Sequence, residues 1–453
     1  MTRKKLLLHF AALLSVLPCC CVLGQPPVFF NVGKGEKPSG QARYHYFVSP
    51  SGGKIYCKIS NEKEKTIRIG PHLTGMRGMD MFVVDDDNYW GNKRVQGVKG
   101  DITLPSKVEV RLCRELYDED TPVGTYTIVG IDAYAFKGCK ELASITLPNT
   151  VSDVKKNAFE GCSNLTVINL SSTLTDIDLS FATGCDKLEA VNKGRGVQSN
   201  LYSIDGLLCD DGEIVFCPVG YSQDVTVPSS VKAVGEGAFA NHANLLSVTV
   251  PPGVHIKSGA FKNCTGLSRV SLSNGVSGID TEAFLNCTAL EQITIPGSVK
   301  FLGGEAFRGC LSLSVVTFGQ GVETIGNSAF ADCISLREVD IPPGLESIYS
   351  NAFANCSGIE RVSFGEGLRW IGQEAFLFCS GLKELTFPQS LNAIYEKAFM
   401  GCSELRKVVF NPQIKEIERY AFFGCSSLTT ANVPKQAKIY DETFLGCDNL
   451  KHP

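Results

Sequence analysis

The stretch Ala375-Phe376-Leu377-Phe378-Cys379-Ser380-Gly381-Leu382-Lys383-Glu384-Leu385-Thr386-Phe387-Pro388 decides the fold. Its opening, Ala-Phe-x-x-Cys, returns at Phe284, Phe307, Phe330, Phe353, Phe376, Phe399 and Phe422, always 23 residues apart. A fixed period of this length marks stacked structural units, each burying its apolar side on its neighbours. Function is then expected on a long surface rather than in a pocket.

Working outward, the same anchor is found at Phe136, Phe159, Phe181, Phe239 and Phe261, and once more at Phe444. Spacings are 22 or 23, except for 58 between Phe181 and Phe239. The extra residues include Tyr202-Ser-Ile-Asp-Gly-Leu-Leu-Cys-Asp-Asp-Gly-Glu-Ile-Val-Phe-Cys-Pro218. Asp211-Gly212 between two apolar runs predicts an inserted hairpin at about 195–224 in the place of a coil.

Each anchor is followed by Leu-x-x-Ile-x-Ile, as at Leu290, Ile293 and Ile295 or Leu336, Val339 and Ile341. The alternation predicts a strand with one buried face, and equal spacing stacks such strands into a parallel sheet. A second apolar pair, such as Val322 and Ile325, leads back to the anchor. Ala and Phe are expected to face inward on a short helical turn. The residue before Cys is Gly, Asn or Asp in every copy but one, for example Gly309, Asp332, Asn355, Gly401 and Gly424, which predicts positive φ there; Phe378 is the exception. The fold class is a β-rich repeat solenoid, a parallel sheet with short helical turns on its back, preceded by a small β-rich N-terminal cap.

Twelve of the 19 cysteines occupy the anchor row: Cys139, Cys162, Cys185, Cys264, Cys287, Cys310, Cys333, Cys356, Cys379, Cys402, Cys425 and Cys447, with His242 in the slot once. Equivalent positions in adjacent coils lie about 4.8 Å apart and point the same way, whereas a disulfide needs Cβ atoms about 3.8 Å apart. One ligand per coil also makes a line rather than a tetrahedral metal cage. A column of buried thiols is the expectation, so Phe284, Phe307, Phe330, Phe353, Phe376, Phe399, Phe422 and their cysteines form a structural ladder. Cys209–Cys217 and Cys57–Cys113 stand as alternatives for bridges.

Residues 1–24 read as a secretory signal. Arg3, Lys4 and Lys5 precede a mainly apolar run from Leu6 to Leu17, too short to span a bilayer. Cys19, Cys20 and Cys21 raise lipid anchoring as an alternative, although Leu17-Pro18 fits a lipobox poorly. Removing this segment takes away three basic residues and no acidic one, leaving 40 basic and 47 acidic residues and a net charge of −7. Mild acidity argues against a nucleic-acid partner. Residues 25–125 lack the repeat and carry short alternating runs, so they are expected to cover the first coil of the 126–453 stack. Asp101-Ile-Thr-Leu-Pro105 already resembles a repeat strand.

The six His residues are scattered, and no zinc-protease, serine-elbow or phosphate-loop pattern occurs. Asp85-Asp86-Asp87-Asn88 lacks the glycine and distal glutamate of an EF-hand loop. Catalysis, cofactor and metal have no candidate. What varies from copy to copy is the exposed strand face. Its middle position carries Thr294, Asp340, Ser363 and Thr386, and an earlier one carries Arg269, Glu338, Arg361, Glu384 and Lys407. This mixed-sign strip serves either solubility through cross-strand ion pairs or recognition of a protein or glycan.

The pattern Leu-x-x-Ile-x-Ile-Pro-x-x-Val-x-x-Ile-Gly-x-x-Ala-Phe-x-x-Cys, carried by 13 anchors over about 126–453, resembles the BspA-type (treponemal-type) leucine-rich repeat of bacterial surface proteins. Asp205-Gly206-Leu207-Leu208 is similar to an insert of that family, and the leader from Lys54 to leaders in Bacteroides-like bacteria. The resemblance implies a cell-surface or secreted, adhesin-like binding protein with no catalytic residues. Its ligand would be a host protein, matrix or another cell, with membrane attachment only through a lipid at Cys19–Cys21. The alternatives are a structural envelope component, or a glycan-binding accessory with its site in 25–125.

Overall fold

A computed structural model describes residues 43–51, 54–70, 98–114, 121–197 and 199–451, which fall in one compact unit. The candidate signal, Cys19–Cys21 and Asp85–Asp87 lie outside the described residues.

The stack is a parallel β-solenoid with two sheets. The wide sheet takes the predicted strand of each coil. Ten strands run from Asp224–Thr226 to Thr430–Ala431, in chain order and parallel register, as in Gln292↔Val315 and Thr294↔Thr317. The narrow sheet takes the second apolar pair as strands of two residues, from Ala233–Val234 to Glu416–Ile417. Inward positions of both sheets are fully buried, for example Ile293, Val339 and Ile348.

The anchor segment differs from expectation, because no helix forms among the described residues. Alternate N–H groups leave the segment for the next coil: Glu305 to Asn327 O at 2.8 Å, Phe307 to Ala329 O at 2.8 Å, Gly309 to Ala331 O at 2.9 Å. The groups between them bond three residues back, as Arg308 does to Glu305 O at 3.1 Å. An α-helix needs every interior N–H for its own i−4 carbonyl, so inter-coil bonding excludes it. The resulting chain of turns has positive φ before Cys, at Gly309 (71°) and even at Phe378 (55°). It has a second positive-φ position two residues before Phe, as at Glu305 (53°) and Lys397 (56°).

Inside, the Phe rings stack face to face. From Phe239 to Phe444 their centroids are 5.0–5.4 Å apart, with planes within 10° after the first pair. From Cys162 on, each anchor thiol is buried and outside any disulfide, and donates to the carbonyl of the Phe one coil earlier, as Cys333 Sγ does to Phe307 O at 3.2 Å and Cys356 Sγ to Phe330 O at 3.0 Å. That carbonyl also accepts the N–H of its own coil's Cys, as Phe307 O does from Cys310 at 3.2 Å, so both lone pairs are used. A small apolar side chain with one donor is what the slot selects.

Phe181 departs from the anchor pattern. Its carbonyl accepts the Phe159 N–H at 2.8 Å, a bond that Ala makes elsewhere, as Ala158 does with Phe136. Ala182, three residues before Cys185, holds the Phe slot instead. Phe and Ala are exchanged in this coil, so the Phe181 ring meets Phe159 edge-on at 6.4 Å and packs on Phe216 of the insert at 5.1 Å.

The insert is a three-stranded meander, Leu201–Ile204, Leu207–Asp210 and Glu213–Phe216. Asp205-Gly206 and Asp211-Gly212 turn it, all four at positive φ as a two-residue hairpin of type I′ requires. Both sheets break here, and the core divides into one cluster from Phe47 to Leu208 and another from Tyr202 to Cys447. Cys209 faces Ile214 in the register; Cys209 and Cys217 are buried free thiols, as is Cys57, and the Cys113 side chain lies outside the described residues.

At the N-terminal end, Thr121–Ile131, Thr66–Ile69, Lys54–Asn61, Arg43–Val48 and Lys107–Arg114 pair in that order, and the last pairs back with the first, closing a five-stranded barrel. Thr121–Ile131 also runs on into the narrow sheet, pairing Ile131 with Val154. Arg68 ties the two parts, donating from its guanidinium to Asp153 at 2.5 and 2.8 Å and also to Asp132. Gly100–Thr103 is the first strand of the wide sheet, parallel to Leu142–Thr146.

Candidate functional site

Period-two alternation in the wide strands turns one side chain in two outward, and parallel register lines equivalent positions into columns. Arg269, Thr294, Glu338, Asp340, Arg361, Ser363, Glu384, Thr386 and Lys407 are all exposed on this face. The register brings Glu338, Arg361, Glu384 and Lys407 together as consecutive members of one column, with Asp340 beside Ser363 in the next. Arg269 and Thr294 stand apart, separated from that group by Gln292, Val315 and Thr317.

The face is held by contacts between coils. Arg361 Nη2 meets Glu338 Oε2 at 2.6 Å, and Ser363 Oγ donates to Asp340. Arg269 is 3.8 Å from Asp224. One residue earlier in each coil, Arg337, Glu360, Lys383 and Arg406 form a flanking column, whose first three members are opposite in sign to their neighbours. Glu360 takes Arg337 at 3.8 Å and Lys383 from the other side. The bond to Lys383 holds the Glu360 carboxyl below the usual range, and that to Glu338 holds the Arg361 guanidinium above its own. Such exposed pairs contribute little stability each. Together they set a two-column pattern of alternating charge over three coils, followed in the next by adjacent cations, Arg406 and Lys407.

Sequence reasoning missed a cluster on the other sheet. Tyr349, Trp370 and Tyr395 project from consecutive coils of the narrow sheet, with ring centroids 4.8 and 5.9 Å from the Trp370 ring. Their signal was three large aromatics in consecutive copies, at positions where most other copies carry Thr, Ser, Ala, Gly or a charged residue. No group of three His, Cys, Asp or Glu able to hold a metal occurs among the described residues.

Stacked parallel strands, an interior of repeated side chains and a variable outer face define a solenoid interaction scaffold. The sequence profile of the BspA type leucine rich repeat region matches residues 123–205, 212–337 and 323–451 in six copies. The chain belongs to this family. A leucine-rich repeat protein of Bacteroides ovatus, 21% identical over 85% of this chain and 97% of its own, has the same fold with a TM-score of 0.51. A leucine rich cell surface protein of Faecalibacterium prausnitzii is 23% identical over 90% and 93%, with a TM-score of 0.40. No curated protein sequence matches the chain. No helix among the described residues is long and apolar enough to cross a membrane.

Proposed function

We propose that the protein is an exported, non-catalytic, adhesin-like binding protein of the cell surface or its surroundings. It takes a protein of a host, its matrix or another cell on the wide-sheet face. The observation that carries this reading is the division of labour within each repeat. The recurring side chains (Ala, Phe, Cys and the strand apolars) are buried, while the positions that change are exposed, in register and alternating in charge. Complementary charge of this kind confers specificity and steers encounter more than it adds affinity.

The test is an array of matrix proteins and glycans, probed first with the protein and then with a variant carrying R269A, E338A, R361A and E384A. All four side chains are exposed, so the fold is retained. Loss of the array signal by about tenfold or more is expected, since charge pairs that meet a partner contribute on the order of 1.5 kcal/mol or more. Unchanged binding places the site away from the wide sheet.

A further inference from the structure

Among the described residues the narrow sheet is interrupted at the meander, between the end strands Asp176–Ile177 and Leu201–Ile204, and the edge of the first is open. From Asp153–Val154 it reaches Asp176–Ile177 and ends there, with no described strand along the far side. In a regular coil that side is occupied: the Lys300 and Leu302 carbonyls accept Glu323 and Gly326 at 2.8 and 3.0 Å, and the Ile417 N–H donates to Lys438 O at 2.9 Å. The equivalents here are Thr175 O, Ile177 O and Ile177 N–H. No described backbone group bonds to them, because the meander puts side chains, not a strand, beside this coil. Between them lies a cleft of about 420 Å³.

Its lining gives the edge a chemical preference. Ile177, Leu179 and Val215 form an apolar patch, with Leu179 42% exposed. Asp176 and Asp210 are the charged groups in the lining, and no Lys or Arg joins them. Lys155 pairs with Asp176 at 2.8 Å, while Asp210 is exposed with no ion pair among the described residues. A row of one donor and two acceptors, an apolar patch and a spare carboxylate are complementary to an extended backbone with alternating apolar and basic side chains.

We propose that the open edge of Asp176–Ile177 is a strand-addition site for an extended, basic polypeptide segment of another protein. The peptide pairs with Thr175 and Ile177 as the missing strand of the narrow sheet. It sets an apolar side chain on Ile177, Leu179 and Val215 and a Lys or Arg on Asp210. Short edge strands limit indiscriminate pairing, so the carboxylate and the apolar patch supply the selectivity. This site is on the other sheet from the proposed wide-face site and does not rest on that reading.

The experiment titrates the full chain with acetyl-Lys-Val-Lys-Val-Lys-Val-amide and follows fluorescence anisotropy of a dye on the peptide, with amide hydrogen exchange read at residues 175–179. Saturable binding is expected, with Ile177 exchange slowed by about tenfold or more. L179K and D210K change exposed side chains and keep the fold, and each weakens binding by about tenfold. A peptide N-methylated on alternate amides, and one with Glu for Lys, are expected to fail. No saturable binding, equal binding of the N-methylated peptide, or equal binding by both variants overturns the proposal. Self-association of the chain that the peptide displaces makes the occupant a second copy and overturns it as well.

Discussion

His242 breaks the thiol column, and its replacement by cysteine gives a quantitative test of what that column does. The ring is 6% exposed; Nδ1 meets the Phe239 carbonyl at 3.0 Å, and Nε2 has no partner. Burial pushes its pKa down from 6.5 to about 4. The folded state therefore holds the ring neutral while the unfolded chain protonates it, so the stability is complete above about pH 6.5 and lost as pH falls towards 4. With 1.36 kcal/mol per pKa unit, lowering the pH from 7 to 4.5 costs about 2.5 kcal/mol at this one residue. H242C removes that cost and supplies a donor in line with those of Cys264 and Cys287. Thermal melts at pH 7 and 4.5 are expected to show the wild type losing about 3 °C more than H242C across the interval, since the unfolding entropy of a chain this long is about 0.9 kcal/mol/K. Equal losses would refute the reasoning, since the carboxylates common to both proteins would then account for the whole acid sensitivity.

Further outcomes follow from the same packing. Phe353→Ala removes a stacked, fully buried ring and is expected to cost about 3–5 kcal/mol in denaturant unfolding. Iodoacetamide is expected to leave the 15 described buried cysteines unmodified in the native protein and to label all of them in denaturant without reductant, read by peptide mass spectrometry; protected pairs would reveal disulfides. Phe378→Asn relieves a non-glycine residue at φ 55° and is expected to stabilise by up to about 1 kcal/mol, offset in part by loss of the ring's cover over Gly401. Arg68→Met is expected to destabilise the barrel end by about 2 kcal/mol, because Asp153 keeps a half-buried carboxylate with only Lys155, at 3.1 Å, and the Ser152 hydroxyl, at 3.2 Å, left. Proteolysis confined to residues 43–131 would report it.

The period carried most of the fold, because a solenoid repeats one local solution and its inward residues repeat with it. Wide strands, the second apolar strand, the hairpin at Asp211-Gly212 and positive φ before Cys all have residue types that physics restricts. The second positive-φ position is marked by Gly or Asn in only some copies, Asn157, Gly237, Gly259 and Asn351. Glu282, Glu305, Glu374, Lys397 and Tyr420 occupy it, half-exposed, and the inter-coil bonds impose the backbone there whatever the side chain. The same bonds replaced the expected helical turn. Phe181 looked like an anchor because spacing alone does not reveal that Phe and Ala have changed places. The barrel was legible as strands but not as a closed sheet, since its pairings join residues as far apart as Arg43 and Arg114. The candidate face was legible as a strip of exposed positions; its flanking column and the Tyr349–Trp370–Tyr395 cluster required the coil register.

The most direct measurement of the central claim is carboxyl footprinting of the protein with and without the ligand captured from the array. Carbodiimide labelling is expected to fall at Glu338, Asp340 and Glu384 on the wide sheet and to stay constant at Glu346 and Glu396, which flank the narrow sheet. Protection at Glu346 and Glu396 with none at the wide-sheet carboxylates would contradict the account and move recognition to the aromatic side of the solenoid.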